Sequence, residues 1–345
     1  MRNPFSQDEV KIAVIGGGTG SFTMLSALKK YTSQIAAIVS MADDGGSTGV
    51  LRDEHGTLPS GDVRQCLVAL SESPKVRELF DYRFDTGTFG GHSFGNVLLT
   101  ALEKLSGDFS QAVETASEIL HIRGAVVPAT LDNVRLKMEW QDKSLVLHGE
   151  RVIDAEYFQY DPRRAKLSLE PNAHANPMAL AAIEGADIVV IAPGDLYTSL
   201  GPLLVIEGIG EALVRTKAKV FYVANLVSKK GQTDGFTVSD HALEIERFAG
   251  CEFLDYVLYN QETPSAELAQ RYKEEGSYVT VADIDRLTAQ HYEAVGGDFL
   301  GKMATARSAD TLIEKRSLIR HNADVVARLL LELYRHSVTK NTTLS

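Results

Sequence analysis

The sequence predicts an α/β protein: a Rossmann-like, mostly parallel sheet with helices on both faces and a small antiparallel β insertion. Residues 11–15 are an apolar, β-branched run that passes through a glycine-rich turn into a helical pattern. Residues 35–41 and 187–192 are further apolar runs of strand length, which is typical of parallel strands buried on both faces. Apolar and polar residues alternate from 134 to 147, and this period of two indicates antiparallel strands.

The first strand leads into a glycine run that is a candidate anion site. Glycine allows close backbone approach, and the first N–H groups of a helix attract an anion, so we expect a phosphate here. The residues concerned are Gly17, Gly18, Thr19, Gly20 and Ser21. The dinucleotide fingerprint requires glycine at the sixth place of the run, where this chain has Ser21, and no Gly-Lys-Ser/Thr follows as in a Walker A loop. A nicotinamide-dependent oxidoreductase is therefore disfavoured, and a tight turn without a ligand stays as an alternative.

Two acids follow the second strand. Asp43 and Asp44 stand at its carboxyl end, where open α/β sheets bind ligands, and Asp43 lies 23 residues beyond Gly20. That spacing is close to the one at which an acid meets a ribose hydroxyl. The alternative is that both acids cap the next turn, since Asp is common before Gly in turns. Residues 51–59 are expected to form a polar loop.

The segment Ser60-Gly61-Asp62-Val63-Arg64 opens a helix. Asp62 in the first turn suits the positive end of the helix dipole, so a structural role is sufficient to explain it. Arg64 gains nothing at that end unless an anion is near, which makes it a phosphate candidate. Gly61, Asp62 and Arg64 are therefore counted among the candidate ligand-binding residues.

The other candidates also stand at helix starts or after strands. A second glycine-rich helix start contains Ser93 as a natural N-cap, and His92 beside it could cap, pack or contact a ligand. The strand at 187–192 ends in Pro-Gly, followed by hydroxyl side chains and a helix from residue 202, which repeats the anion-site arrangement. These positions add seven candidates for ligand binding: His92, Ser93, Asn96, Gly194, Tyr197, Thr198 and Asn225. The sequence offers no convincing catalytic triad.

Composition and charge limit the class of protein. At 345 residues the chain is expected to form one large domain, 1–345, with a glycine-rich half at 10–124, a β insertion at 125–170 and a second α/β half at 171–336. A net charge of −11 argues against nucleic acid as a partner.

No run of residues fits a signal peptide or a membrane span, so a cytoplasmic protein without membrane insertion is expected. Cys66 and Cys251 are expected to be buried free thiols.

Six motifs occur in an order that resembles the YvcK/CofD-like family, specifically its YvcK branch, the bacterial gluconeogenesis factors. They cover roughly residues 10–330 and are, in chain order, IGGGTGS, ADDGGSTG, LPSGDVRQCLVAL, GHSFGN, ANPMALAAIEGADIVVIAPGDLYTS and NLVSKKGQTDGF. The resemblance implies a Rossmann-like fold, a cytoplasmic location, binding of UDP-sugars such as UDP-N-acetylglucosamine, and a role in cell shape and in growth on gluconeogenic carbon sources. The chain departs from the family pattern at Ser21, Asp195 and Asn322, which affects the ligand more than the fold.

The resemblance implies a small-molecule nucleotide sugar as partner and no required cofactor. The glycine turn would hold its diphosphate, Asp43 or Asp44 its hydroxyls, and His92, Ser93 and Asn96 the sugar or the second phosphate. Tyr197, Thr198 and Asn225 would close the opposite side. The other branch resembles 2-phospho-L-lactate transferase, which uses a divalent metal, and there Asp43 and Asp44 would hold Mg²⁺. The alternating segment 134–147 predicts an exposed sheet edge that must be covered, so a homo-oligomer stays open.

Overall fold

A computed structural model describes residues 10–301 and 320–343. Its main feature is a seven-stranded sheet in which all neighbouring strands are parallel. Its strands are β1 (Ile12–Gly16), β2 (Ile35–Val39), β3 (Ala125–Pro128), β7 (Ile188–Ile191), β8 (Lys219–Val223), β9 (Tyr256–Asn260) and β10 (Glu293–Gly297). A second sheet of three antiparallel strands contains β4 (Arg135–Trp140), β5 (Leu145–His148) and β6 (Lys166–Glu170).

The order of strands in the main sheet is β10-β9-β8-β7-β1-β2-β3. The chain therefore runs outward from β1 to β3 and then returns to the other side of β1 at β7. In register, Ile12 lies opposite Ile35 on one side and Ile188 on the other. Such a reversal opens a crevice at the carboxyl ends of the two central strands, which is where open α/β sheets bind ligands.

Both faces of the sheet are covered, which explains why its strands are uniformly apolar. Successive side chains of a strand point to opposite faces. In β1, Ile12 and Val14 belong to one buried cluster, whereas Ala13 and Ile15 belong to the other. A strand covered on both sides has no polar face, so its sequence shows no alternation.

Helices pack on both faces of the main sheet. Those that position the candidate site are α1 (Gly18–Leu28), α2 (Gly46–His55), α3 (Gly61–Leu70), α4 (Pro74–Asp81), α5 (Phe94–Ser106) and α7 (Glu150–Ala155). The others are α6 (Phe109–Leu120), α8 (Pro177–Glu184), α9 (Gly201–Leu204), α10 (Ile209–Arg215), α11 (Val238–Ala249), α12 (Ala266–Glu275), α13 (Ile284–Thr288) and α14 (Ala323–Thr343). The predicted cap at Ser93 is present, since its hydroxyl accepts a hydrogen bond from the Asn96 N–H (3.3 Å). Asn176 caps α8, where its Oδ1 accepts from the Met178 N–H (3.0 Å).

The antiparallel sheet buries its apolar face against the main core. Leu136, Met138 and Trp140 are at most 1% exposed and belong to the same cluster as Ala13 and Ile15. The predicted insertion begins too early, however, because residues 125–128 form β3 of the parallel sheet. Four residues are too few to show which period a strand follows, so the sequence could not assign β3 to either sheet.

Two other predictions about elements need correction. The segment 51–59 is not simply a polar loop, because α2 runs through residue 55. The sequence of α2 shows no clear helical period, because glycine stands at both ends of its first turn and most of its other residues are polar. The glycine run is also more than a turn, because the first helix begins at Gly18, inside the run.

The cysteines are both free. Cys66 is buried, and burial raises the pKa of its thiol, as expected for an unreactive core residue. Cys251 is only half-buried, so the predicted burial is wrong for this residue. In the described ranges, no helix combines the length and the apolar character that crossing a membrane would require.

Candidate functional site

The loops that follow β1, β7 and β8 interlock at the carboxyl end of the sheet. A Cβ atom at Gly20 would lie only 1.6 Å from the carbonyl oxygen of Pro193, so the glycine run presses directly on the backbone after β7. Gly194 N–H donates to Asn225 Oδ1 (3.2 Å), and Asn225 Nδ2 donates back to the Gly194 carbonyl (2.8 Å). The predicted site residues Gly20, Gly194 and Asn225 therefore lie together at the carboxyl ends of the central strands, where open α/β sheets bind ligands.

The glycine run forms the last residue of β1 and the first turn of α1. Gly17 is the N-cap, and no side chain caps this helix start. The Gly18 N–H instead donates to the carboxyl group of Asp62, and a Cβ atom at Gly17 would lie 2.2 Å from Asp62 Oδ2. One amide of the predicted phosphate site thus already binds an acid of the protein itself.

Thr19 and Ser21 differ in exposure within this turn. Thr19 is half-buried, and its carbonyl accepts a hydrogen bond from the Thr23 hydroxyl (2.8 Å). Ser21 is 1% exposed, and its hydroxyl packs against Gly16 without a hydrogen-bond partner among the described residues. The side chain of Ser21 is therefore directed into the protein, and only its backbone could serve a ligand.

Four carboxyl groups gather beside the turn, and we call Asp43, Asp44, Asp62 and Glu150 the acidic quartet. Asp43 Oδ1 accepts from the Gly45 N–H (2.9 Å). Asp44 accepts from the Arg151 N–H (2.8 Å) and from Arg135 Nη1 (3.1 Å), so it ties the β insertion to the loop after β2. Both sequence interpretations of these acids are compatible with this geometry, since the hydrogen bond from Gly45 is a turn-capping contact and the acids also lie beside the crevice.

Burial and mutual repulsion raise the pKa of three members of the quartet. Burial raises the pKa of Asp62 to about 7, with the negative charge of Asp43 adding to the effect. Burial and then the charges of Asp43, Asp154, Asp44 and Asp62 raise the pKa of Glu150 to about 9. Burial also raises the pKa of Asp43, against the opposing hydrogen bonds from Gly45 and Thr48. The folded protein therefore disfavours the charged forms of these three carboxyl groups.

Glycine at position 61 allows α3 to approach the loop after β2. A Cβ atom there would lie 2.4 Å from Thr48 Oγ1 and 2.7 Å from Asp43 Oδ2. The start of α3 is therefore packed directly against the start of α2, which brings Asp62 to the quartet. The predicted residues Gly61 and Asp62 belong to this junction.

The guanidinium group of Arg64 is bound by other side chains of the protein. Its Nε donates to Asn96 Oδ1 (3.1 Å), and its Nη1 forms an ion pair with Asp81 Oδ1 at 2.5 Å. The side chain crosses Gly95, where a Cβ atom would lie 2.7 Å from Arg64 Cδ. Since its guanidinium is held by Asn96 and Asp81, the expectation of a free phosphate ligand is not supported by this placement.

His92 and Asn96 both contact Ser47, a residue that the sequence analysis did not single out. His92 Nδ1 lies 3.0 Å from the Ser47 hydroxyl, to which Asn96 Nδ2 also donates (3.2 Å). Ser47 lies in the first turn of α2. Its position in the motif with Asp43 and Asp44 was the signal that could have identified it.

In the loop after β8, a lysine pairs with two acids. Lys229 Nζ lies 2.9 Å from Asp195 Oδ2 and also pairs with Asp154 Oδ1 of α7. Burial would lower the pKa of Lys229, but the charges of Asp195 and Asp154 raise it above its usual value. Thr198 Oγ1 is within 3.5 Å of Asp154 Oδ1. This contact network, which joins the insertion to the main sheet, was missed because its members are far apart in sequence.

Tyr197 lies in the core instead of closing the site. It is 1% exposed, and its hydroxyl donates to Glu244 Oε2 of α11 (3.0 Å). Its ring packs edge-on against Phe158 and Phe248, with ring centroids 5.5 and 5.6 Å away. The expectation that its side chain faces a ligand is therefore not supported.

No three His, Cys, Asp or Glu side chains within residues 10–301 and 320–343 are arranged so as to hold a metal ion. Carboxylate oxygens are the ligands that Mg²⁺ prefers, so within these ranges only a pair such as Asp43 and Asp44 would offer them.

Comparison with known proteins relates this chain to one family. The family model described as 2-phospho-L-lactate transferase CofD matches residues 12–300. A relative from Bacillus subtilis named gluconeogenesis factor is 37% identical over 327 residues, which cover 94% of this chain and 98% of the relative. Another of that name, from Listeria innocua, is 37% identical over 326 residues, with 94% and 95% covered.

Solved structures confirm the predicted α/β fold. The crystal structure of a protein from Bacillus halodurans matches with a TM-score of 0.85 at 34% identity, covering 94% of this chain and 100% of that chain. A second crystal structure from that organism, described as a member of the UPF0052 family, has a TM-score of 0.84 at 34% identity.

Proposed function

The chain belongs to the CofD family, as its motifs predicted, and on that premise we propose that it is a regulatory protein that binds a UDP-sugar. The ligand is of the UDP-N-acetylglucosamine type. In this role the protein acts as a gluconeogenesis factor that takes part in cell shape and in growth on gluconeogenic carbon sources. The names of its relatives support the gluconeogenic part of the proposal.

One observation carries the binding proposal: the glycine turn at the start of α1 presses on the loop after β7, beside the crevice between the two central strands. Phosphates bind at helix N-termini that follow such turns, because the first amides are free to donate and the helix dipole favours an anion. The start of α1 carries no acid in its first turn and no side-chain cap. Its amides other than the one bound by Asp62 are the groups we assign to the diphosphate.

Isothermal titration with UDP-N-acetylglucosamine tests this proposal. We expect saturable heat below about 1 mM ligand, the upper end of ordinary metabolite affinities. UMP and free N-acetylglucosamine, titrated separately, serve as controls and should bind more weakly because each supplies only part of the contacts. Absence of heat at millimolar UDP-N-acetylglucosamine would contradict the proposal.

A matched pair of glycine substitutions locates the binding site. Gly18 (φ +59°) and Gly56 (φ +62°) share the left-handed conformation, so an alanine strains both backbones by about 1 kcal/mol. Only Gly18 lies at the turn, where a Cβ atom would obstruct the approach of a phosphate. We expect Gly18→Ala to weaken UDP-N-acetylglucosamine binding at least tenfold and Gly56→Ala to leave it unchanged, as measured by titration. Equal affinities in the two variants would place the ligand elsewhere.

A transferase is the second candidate function, and the acidic quartet favours it. The raised pKa values of Asp43, Asp62 and Glu150 show that burial and mutual repulsion disfavour ionising these carboxyl groups together, and a bound divalent cation would favour their charged forms. Asp43 and Asp44 are the residues that would hold Mg²⁺, which would neutralise the diphosphate leaving group of a nucleotide donor. Mg²⁺-dependent release of nucleotide in the presence of an acceptor alcohol would establish this activity in place of a purely regulatory role.

A further inference from the structure

A chain of hydrogen bonds connects four helices and ends on His92. It begins at Asp81 of α4, whose carboxylate pairs with Arg64 Nη1 of α3. Arg64 Nε donates to Asn96 Oδ1 of α5 (3.1 Å), and Asn96 Nδ2 donates to Ser47 Oγ of α2 (3.2 Å). Ser47 Oγ then lies 3.0 Å from His92 Nδ1. We call Arg64, Asn96 and Ser47 the relay.

The arginine sets the direction of the first two hydrogen bonds of the relay, from Arg64 to Asn96 and from Asn96 to Ser47. A guanidinium has only donors, so the oxygen of the Asn96 amide must face Arg64 and its NH₂ group must face Ser47. The Ser47 hydroxyl thus accepts a hydrogen bond from Asn96 Nδ2, and its own O–H is free to donate to His92 Nδ1. A neutral imidazole that accepts at Nδ1 carries its proton on Nε2.

The relay is well fixed in the protein. Arg64 and Asn96 are 8% and 3% exposed, and Ser93 holds the backbone N–H of Asn96 at the start of α5. Gly95 leaves the space through which the Arg64 side chain passes. In the described part of the chain, His92 Nε2 forms no hydrogen bond of its own. In the tautomer with its proton on Nε2, His92 would therefore have one N–H left to donate to a ligand.

We propose that Arg64, Asn96 and Ser47 are positioning residues that hold His92 with its proton on Nε2, so that His92 donates a hydrogen bond to an acceptor oxygen of the bound nucleotide sugar. Only the ligand half of this proposal rests on the proposed function. The tautomer half concerns the protein alone. Under this proposal Arg64 is a positioning residue and not a phosphate ligand. The orientation of His92 then depends on its contact with the Ser47 hydroxyl.

The tautomer is tested by ¹⁵N NMR of histidine-labelled protein without ligand, with the His92 signals identified by their loss in His92→Gln. We expect the wild type to show a protonated Nε2 and an unprotonated Nδ1 at pH 8. Ser47→Ala should populate both tautomers, whereas Ser47→Thr, which keeps the hydroxyl, should retain the Nε2–H form. A wild-type His92 protonated on Nδ1, or a Ser47→Ala spectrum identical to that of the wild type, would overturn the proposal.

The donor role is tested by two substitutions that mimic the two ring nitrogens. The Gln amide nitrogen reaches about as far as Nε2, and the Asn amide nitrogen about as far as Nδ1. We expect His92→Gln to keep UDP-N-acetylglucosamine affinity within about threefold and His92→Asn to lose about tenfold, the usual worth of one hydrogen bond.

Titration with UDP alone shows which part of the ligand carries the acceptor oxygen. If His92→Asn loses as much affinity for UDP as for UDP-N-acetylglucosamine, the acceptor is on the diphosphate. If only the affinity for UDP-N-acetylglucosamine falls, the acceptor is on the sugar. Equal affinity of both variants for both ligands would refute the donor role.

These two arms separate the failure of this proposal from the failure of the proposed function. If wild-type protein gives no heat with UDP-N-acetylglucosamine while the NMR spectra behave as expected, the proposed ligand is wrong and the relay stands. If the ligand binds and the tautomer is absent, the relay is wrong and the ligand stands.

Asp81→Asn removes the negative charge that pairs with Arg64 and should loosen the relay at its far end. Its control in the same NMR measurement is Glu78→Gln, which removes a negative charge at an exposed position of α4.

Discussion

Replacement of Gly20 by alanine is expected to lower the free energy of unfolding by about 3 kcal/mol or more. The added Cβ atom would lie 1.6 Å from the Pro193 carbonyl oxygen and 2.7 Å from its carbon, both backbone atoms that cannot rotate away. Helix propensity works in the opposite direction, because alanine is favoured over glycine inside a helix by about 1 kcal/mol. A large net loss would therefore measure how tightly the loops after β1 and β7 are locked together.

The control for this prediction is Gly194→Ala in the adjoining loop. There a Cβ atom would meet only side-chain carbons at 3.5 Å, which is ordinary contact. We expect this variant to stay within about 1 kcal/mol of the wild type in urea unfolding followed by circular dichroism. Coincident unfolding midpoints for the two variants would show that the loops are not packed as described.

Neutralising Glu150 is expected to stabilise the protein at pH 8 and to have little effect near pH 5. A carboxyl group with a raised pKa binds its proton more tightly in the folded than in the unfolded state. Its contribution is therefore fully present below the unfolded pKa and is lost as the pH rises through the folded one. For Glu150 that window runs from 4.5 to about 9, and for Asp62 from 3.8 to about 7. Since water reaches both side chains in part, we expect Glu150→Gln to gain about 2 kcal/mol at pH 8, less than the full shift would give.

The measurement is urea unfolding at pH 5 and pH 8 in the presence of EDTA, which keeps divalent cations from neutralising the quartet. Asp62→Asn should show a similar gain at pH 8, reduced by its weaker acceptance of the Gly18 N–H. Glu54→Gln, at an exposed position of α2, is the control and should change stability by less than about 0.5 kcal/mol at either pH. A Glu150→Gln gain that is the same at pH 5 and pH 8 would show that its charge is not the cause.

Much of the site could be predicted because its backbone elements are local. The apolar runs of β1 and β7, the glycine turn and the Ser93 cap each depend on a few consecutive residues, and each appears in the structure where the sequence predicts it. Parallel strands also place their carboxyl ends at the same edge of the sheet, so loops after different strands could be expected to meet.

The partners of individual side chains could not be predicted in this way. Arg64 was expected to meet an anionic ligand but meets Asn96 and Asp81, and Tyr197 was expected at the crevice but donates to Glu244 in the core. Glu150 gave no signal at all, because nothing in the six residues of α7 indicates that the helix packs beside Asp43 and Asp44.

The sequence by itself determined the α/β class, the family, the two apolar central strands and the glycine turn between β1 and α1. Hydrophobic period and glycine content are properties of neighbouring residues, so they predict a strand or a turn without knowledge of the tertiary contacts. The order of the motifs along the chain is likewise read directly from the sequence. Only the tertiary structure decided that β3 joins the parallel sheet, that Asp62 faces the glycine turn, and that Asp44 binds Arg135, 91 residues away. Charge and hydrogen bonding depend on distance in space, and the folded sheet, not spacing along the chain, sets those distances.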